Sequence, residues 1–487
     1  MVPSGTSHDK SEAADKDTLT WLHEEKPQLL QCPPAEEPPG KQALPLRHGA
    51  VCTVSDHSSI LTFIKHRNGF LPERRVGLRN NLLPAIGFIE LGNAGDFAAN
   101  FWKIYPPPKC AIILMAIGGT MALSVLYFVI QDAILSWQNI LGLREERKHL
   151  RQLRSNAGDC EKQDGSRSGP AIDCFLAVNI RELGTEIVDR FGMDILMGSG
   201  AFIVGIGTFL AIGGENPRIF LASDLMTGYI GNSPCALYGL LNFAWAVFVW
   251  RRAQNHTLRV NEAIEESDET RDIKGRLKKK FKDRLFKVKV HSITNGATGL
   301  VAGATSMVTY MYWQAYVVLL ICLVSSFFAN WFWRVKVGYN RLYVKDLTRV
   351  DQTSLIQSLA HADRHRVDLG GGKKQESVLL LVPDPNSLSD LLDFIVAHGL
   401  FEDFCMRVVR DTHLMRTHFG NAKKQLELGF SELVATTESD LNSRLIAIAR
   451  VTLEEKAPLC FEYEERWLFE AIGCYVSLEK VQHSTRV

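Results

Sequence analysis

CAIILMAIGGTMALSVLYFVI, residues Cys110 to Ile130, places 21 positions in a row without an Asp, Glu, Lys, Arg or His. A helix rises about 1.5 Å per residue, so such a stretch matches the roughly 30 Å hydrocarbon core of a bilayer. Ile195 to Gly213 (ILMGSGAFIVGIGTFLAIG) is equally clean until its end. A third stretch, Tyr229 to Trp250, stops at Arg251 and Arg252. Two more, about Gly296–Tyr310 and Ala315–Trp333, form a hairpin around Tyr310, Tyr312, Trp313 and Gln314. Trp245, Trp250, Trp331 and Trp333 gather at the ends, where amphipathic rings meet headgroups. The pattern predicts an all-α membrane protein, with about five transmembrane helices and a mostly helical soluble C-terminal domain.

Working outward, the chain has 487 residues, 46% hydrophobic and 22% charged, with a formal net charge of +1. Those averages conceal segregation, because the charges cluster between the apolar stretches instead of alternating with them at helical period. A near-neutral balance gives no reason to expect a nucleic-acid partner. The ten cysteines contain no C-x-x-C pair, which argues against a zinc or thioredoxin-type site. MVPSGTSHDKSEAADKD at the start lacks the apolar core of a secretory signal, so the first span is expected to direct insertion.

Positive charge sets the orientation, since Lys and Arg stay cytosolic. Arg144, Arg147, Lys148, Arg151 and Arg154 follow the first span. Arg251 to Lys289 is densely basic, and Arg334, Lys336 and Arg341 follow the last span. Only Lys103, Lys109 and Arg218 lie near the other ends. The expected organisation is a disordered tail (1–50), a pre-membrane region (51–109), a bundle (110–333) with cytosolic loops 134–194 and 251–295, and a cytosolic helical domain (338–487). This parity puts the N-terminal region outside, together with Arg67, Arg74, Arg75 and Arg79. A re-entrant segment near Leu82–Trp102 would reverse it, although Glu90 and Asp96 argue against a full crossing.

The middles of the five stretches carry Asn242 and small residues but no acid or base. That disfavours a charge-coupled transporter, which needs ionisable groups inside the bilayer, and leaves a passive pore open. Gly299 and Gly303 form a G-x-x-x-G, and Ala201 with Gly205 repeats the four-residue spacing. Such residues suit close helix packing, within the bundle or between copies. Asn242 is expected to hydrogen-bond another helix.

The segment 273–289 is the most specific signal outside the spans. Lys274, Arg276, Lys278, Lys279, Lys280, Lys282 and Arg284 surround an apolar stripe that includes Phe281 and Leu285. On a helix this pattern suits anionic lipid headgroups; a protein partner and a plain solvated loop are the other readings. In the C-terminal region, Ser377–Val382 reads as a strand, and helices fit Leu400–His418, Ala422–Ala435, Ser439–Lys456 and Tyr463–Glu479. His361 and His365 are one turn apart, yet without a third ligand they read as an exposed helix face. No hydrolase, kinase or dinucleotide motif occurs, and no cofactor is implied. The leading functional expectation is a membrane-anchored interaction or scaffold protein, or a signalling or trafficking adaptor, with membrane lipid and a protein bound by the C-terminal domain as partners. The alternatives are a channel or uncoupled carrier, and a membrane-embedded enzyme without a recognisable motif.

Overall fold

A computed structural model of the chain describes residues 60–66, 69–104, 106–164, 169–266, 274–344, 352–370, 378–419, 424–435 and 438–484. The expected tail 1–50, Ile273 and the Gly371–Gly372 break lie outside them.

Three short strands come first: β1 (Ile60–His66), β2 (Gly69–Pro72) and β3 (Gly77–Leu78). A broken stretch follows, a 3-10 turn at Pro84–Phe88, α1 (Ile89–Asn93), a second such turn at Ala94–Asp96, and α2 (Phe97–Phe101). The bundle helices are α3 (Lys109–Asp164), α4 (Gly169–Thr185), α5 (Met193–Ile212), α6 (Pro217–Thr227), α7 (Tyr229–Glu266), α8 (Lys274–Val308) and α9 (Ala315–Phe332). The C-terminal part adds β4 (Arg341–Leu342), α10 (Gln352–Gly370), α11 (Leu388–Ala397) and α12 (Phe401–Arg410). It closes with α13 (Thr412–Thr417), β5 (Gln425–Gly429), α14 (Phe430–Val434) and α15 (Ser439–Ser484).

Among the described residues, four helices are long and apolar enough to cross a membrane: Lys109–Ala157, Gly169–Ile212, Pro217–Val260 and Ala315–Val337. The expected span 296–310 is the end of α8. It is not one of the four, because its apolar part follows His291 and Asn295 and consists largely of small residues. Ile117, Tyr127, Ile195, Leu240, Ile321 and Phe328 point outward. A row of large apolar side chains on the outside is the reverse of a water-soluble surface.

The segment 134–164, expected as a loop, continues α3 as helix. Ile140, Leu143 and Leu150 keep one face apolar and buried while the arginines turn outward. The segment 251–266 likewise extends α7.

The broken stretch runs antiparallel to α3 along its apolar length. Leu83 N–H donates to Asp132 at 2.9 Å. Gly92 abuts Ala122 and Val125, Gly95 abuts Gly118, and Ala98 and Ala99 pack with Ala111 and Met115. From Asp132 back to Ala111 is about 31 Å of helix, close to the thickness of a hydrocarbon core. Lys103, beyond the stretch, reaches Asp224 at 3.1 Å and the ring of Tyr310. Leu82–Trp102 therefore traverses the bundle from one end to the other.

β1 is the middle strand of an antiparallel sheet in the order β2-β1-β5, with Leu61 opposite Leu428 and Phe63 opposite Leu426. β3 pairs with β4, Gly77 opposite Leu342. The N-terminal strands thus share sheets with the C-terminal part, which is the physical correction to an N-terminal region placed on the opposite side from residues 338–487.

α15 is a single helix through Pro458, where two were expected. Its first half (Leu445, Ala449, Leu453) fills a core with α11, α12 and β1. Its second half (Leu468, Phe469, Ile472) fills another with α4, α8 and α10. Three further expectations change. Val378–Leu381 is a 3-10 turn rather than a strand. The 400–418 helix breaks where the Asp411 side chain accepts from the His413 and Leu414 N–H groups to start α13. Residues 425–429, expected as helix, form β5, because alternate side chains are buried and Leu426 and Leu428 face the core.

Candidate functional site

The bundle interior holds polar groups that a reading of the apolar stretches does not anticipate. They arrive on two irregular elements. One is the broken stretch, whose Gly92 and Gly95 let its backbone approach Ala201 and Gly118. The other is a π-helical turn, Glu186–Gly192, between α4 and α5. Its wider winding brings Glu186 and Arg190 both inward, and such turns concentrate at functional sites.

Nearest the Lys103 end, Asp96 is wholly buried. Tyr316 OH donates to it at 2.7 Å and the Asn100 amide at 2.9 Å. The same amide donates to Tyr316 OH at 2.8 Å. Thr227 and Asn232 extend the cluster through the Thr227 carbonyl, which accepts from Asn232 at 3.1 Å. A carboxylate kept out of water needs such donors.

Toward the other end, the Arg190 guanidinium donates to both oxygens of Asp132 at 3.1 Å and to Glu186 at 3.1 Å. It also donates to Asn81 at 2.8 Å, fastening the start of the broken stretch. Arg190 is thereby taken up by Asp132 and Glu186, while both carboxylate oxygens of Asp194 are buried without a hydrogen-bond donor. Two cavities of about 60 and about 30 Å³ lie end to end here, sharing Asp189, His291 and Asn295. Glu90 and Asn330 line the first; Glu470 and Arg284 line the second.

Below lies a belt of ion pairs joining bundle to C-terminal part. Arg341 donates to Glu146 at 2.6 and 2.7 Å and to Glu182 at 2.9 Å, all three buried. Tyr339 OH donates to Glu182 at 2.7 Å and accepts from Arg181. Arg181 and Arg252 flank Glu470 at 3.5 and 3.2 Å. Burial alone would raise the Glu470 carboxyl, but Arg181 and Arg252 outweigh it and hold it down at about 2.

His256, Glu470 and Cys474 bring potential metal-ligand atoms within 4.8 Å of one another. The Arg252 guanidinium already occupies that space, donating to Cys474 Sγ at 2.7 Å. Burial pushes the Cys474 thiol up to about 12. The cluster is a guanidinium site, and a cation would meet repulsion there. Asp363, between His361 and His365, is likewise engaged by Arg276 at 3.0 Å and by Lys280.

The basic segment becomes the first half of α8, which Lys274 begins. Its stripe faces the protein's own core: Leu277, Phe281 and Leu285 are buried, with the Phe281 ring edge-on to Phe469 at 5.3 Å. Phe281 and Leu285 therefore have no face left for a lipid surface. Lys280 also pairs with Glu465 at 3.2 Å. Arg284 is buried, donating to the carbonyls of Lys336 and Val337 at 2.9 and 2.6 Å. Lys278 is half-buried; Arg276, Lys279 and Lys282 are exposed.

The small residues meet inside one chain. Gly299 lies against Asn242, Gly303 against the Cys235–Ala236 backbone, and Gly205 against Ala122 and Leu123; Ala201 lies against Gly92. Asn242 and Asn295 exchange hydrogen bonds between α7 and α8, the amide of Asn242 donating to the Asn295 carbonyl at 3.2 Å and that of Asn295 to Asn242 Oδ1 at 3.1 Å.

Sequence reasoning misses Glu90, Asp96, Asp189, Arg190 and Asp194 as a group. The available signal was the Pro- and Gly-interrupted apolar run at Leu82–Trp102, an arrangement that lines intramembrane sites in transporters. Compared with family models, curated proteins and solved structures, the chain matches none.

Proposed function

We propose that the chain crosses a membrane six times, Leu82–Trp102 being the added crossing, and acts as a carrier or channel whose interior acids handle protons or a small cation. The outward apolar side chains support the membrane setting. Counting Leu82–Trp102 makes the parity even. Arg74, Arg75 and Arg79 then join Arg144, Arg251 and Arg334 on the cytosolic side, leaving Lys103, Lys109 and Arg218 opposite, as the positive-inside rule requires. The C-terminal part is cytosolic in this reading.

The observation that carries the transport reading is Asp96, buried on a discontinuous helix between Tyr316 and Asn100. Ionisable groups at membrane depth are expensive and are kept for ion or proton pathways. The middles of the five apolar spans are free of charge, but the sixth crossing carries Glu90 and Asp96 into the bundle interior. The test is proton flux into vesicles reconstituted with the full chain and loaded with a pH dye. Asp96→Asn is expected to reduce flux at least about tenfold, one step of 1.4 kcal/mol. Equal flux in the variant, or none in the parent chain under a gradient, rejects it.

A second reading, the membrane-anchored adaptor, draws on α15. Because one helix serves both cores, the cytosolic part is a fixed platform rather than a tethered domain. Retention of a specific protein by the full chain in detergent, without any flux, would favour it. In that reading Lys279 and Lys282 remain candidates for anionic headgroups.

A further inference from the structure

A cavity of about 290 Å³ lies where β3, β4, the α11–α12 turn and α15 converge, outside the bundle interior. That volume is at the lower end for small-molecule sites. Leu78, Leu342, Leu400 and Leu459 supply apolar wall. Most of its charged groups are already matched: Asp403 accepts from Arg79 at 2.7 Å, and Arg341 is held by Glu146 and Glu182. Two groups are not. No cation or donor among the described residues pairs with Glu464, and burial alone moves its carboxyl up to about 8. Trp467 Nε1–H, one turn further along α15, is buried without an acceptor.

The Glu464 side chain is half-buried, and a carboxylate and a buried N–H left open on one cavity wall are costly unless water or a ligand meets them. We propose that this cavity binds a small amphipathic organic cation, a protonated amine or amidine, whose nitrogen pairs with the Glu464 carboxylate. Its apolar body lies against the leucine wall. A hydrogen-bond acceptor on the same molecule takes the Trp467 N–H. The Arg79–Asp403 pair borders the site without competing for the cation, since each neutralises the other. The walls come from the N-terminal strands, the segment leaving α9 and the C-terminal helices, so the ligand would brace all three. The site is independent of Asp96 and of the transport reading.

The experiment uses the full chain in detergent, with benzamidine as probe and benzoate as its anionic counterpart, read by thermal melting and calorimetric titration. Benzamidine is expected to raise the melting temperature of the parent chain and to leave Glu464→Gln unmoved, while Glu464→Asp keeps part of the shift. Benzoate should have no effect on any of them. Loss of binding in Glu464→Gln counts only if that variant elutes and melts as a folded protein without ligand; Glu464→Asp covers the other case. The proposal is overturned by equal shifts in parent and Glu464→Gln, by benzoate binding as well as benzamidine, or by no parent response at millimolar probe.

Discussion

Arg79 and Asp403 form an ion pair at 2.7 Å across 324 positions of chain. The contact ties the strand that precedes the broken stretch to the helical part that follows the last apolar helix. With the β1–β5 pairing it places both at one end of the bundle.

The pairing is testable by cross-linking. Thr62 and Glu427 are register partners in β1 and β5. A Thr62→Cys/Glu427→Cys chain, oxidised and then cut between the two positions, is expected to migrate as one piece until reduced. Free fragments would show that the strands do not pair.

Removing Arg341 should strip compensation from two buried carboxylates. Arg341→Met is expected to destabilise the protein by about 3–5 kcal/mol, the usual penalty for leaving a buried charge unpaired. Adding Glu146→Gln and Glu182→Gln should recover much of it. A single variant melting like the parent in detergent would contradict the burial of this network.

Stability should respond to pH in two separate windows. An unfolded chain releases the Glu464 proton near 4.5 and the native chain at about 8. Between those values the folded state holds more protons, so stability falls as pH rises and levels off above about 8. Glu470 behaves oppositely. Its native carboxyl stays ionised down to about 2, so its contribution is present above about 4.5 and is lost as pH falls toward 2. Melting curves of Glu464→Gln should lie above the parent's at alkaline pH and merge with it near pH 4, while Glu470→Gln should flatten the acid limb. Parallel curves would refute the assignment.

Glycines should divide sharply by position. A Cβ on Gly118 would come within 2.1 Å of the Gly95 carbonyl oxygen, a backbone atom with no easy retreat. Gly118→Ala is expected to destabilise by about 1–3 kcal/mol. At Gly275 a Cβ would meet nothing within 4 Å, so Gly275→Ala should change stability by less than about 0.5 kcal/mol. Equal melting of the two variants would deny the close crossing of α3 by the broken stretch.

The lipid reading now narrows to exposed lysines. Lys279→Glu with Lys282→Glu is expected to weaken binding of a fluorescent anionic lipid in neutral nanodiscs, with about 1 kcal/mol, or about fivefold, lost per charge. Lys280 is unsuitable as a probe because it holds Asp363 and Glu465. Unchanged lipid binding would leave α8 as a structural helix alone.

The long apolar runs at Cys110–Ile130, Ile195–Gly213, Tyr229–Trp250 and Ala315–Trp333 were legible because lipid-facing surface is written as unbroken hydrophobicity. The basic clusters were legible because charge is local. The small-residue spacing at Gly299 and Gly303 pointed to close packing, and Asn242 to an interhelical hydrogen bond, for the same reason: each needs only the helix it sits on. Leu82–Trp102 was not legible as a segment running the length of the bundle. It packs against other helices, so close approach governs it: Gly87, Gly92 and Gly95 abut Phe327, Ala201 and Gly118, and Asp96 is accommodated by Tyr316, 220 positions away.

The stripe at Leu277, Phe281 and Leu285 shows the same limit from the other side. Periodicity established that one face of this helix is apolar, and could not say whether oil or protein would cover it. The sequence by itself determined which segments are too apolar for water, which are too charged for a bilayer, and that the chain is mostly helix. Only the tertiary structure decided that β1 pairs with β5, that a broken stretch completes the bundle, and that Asp96 and Arg190 are buried. Hydrophobicity is a property of each residue, whereas burial of a charge depends on partners that folding brings from hundreds of positions away.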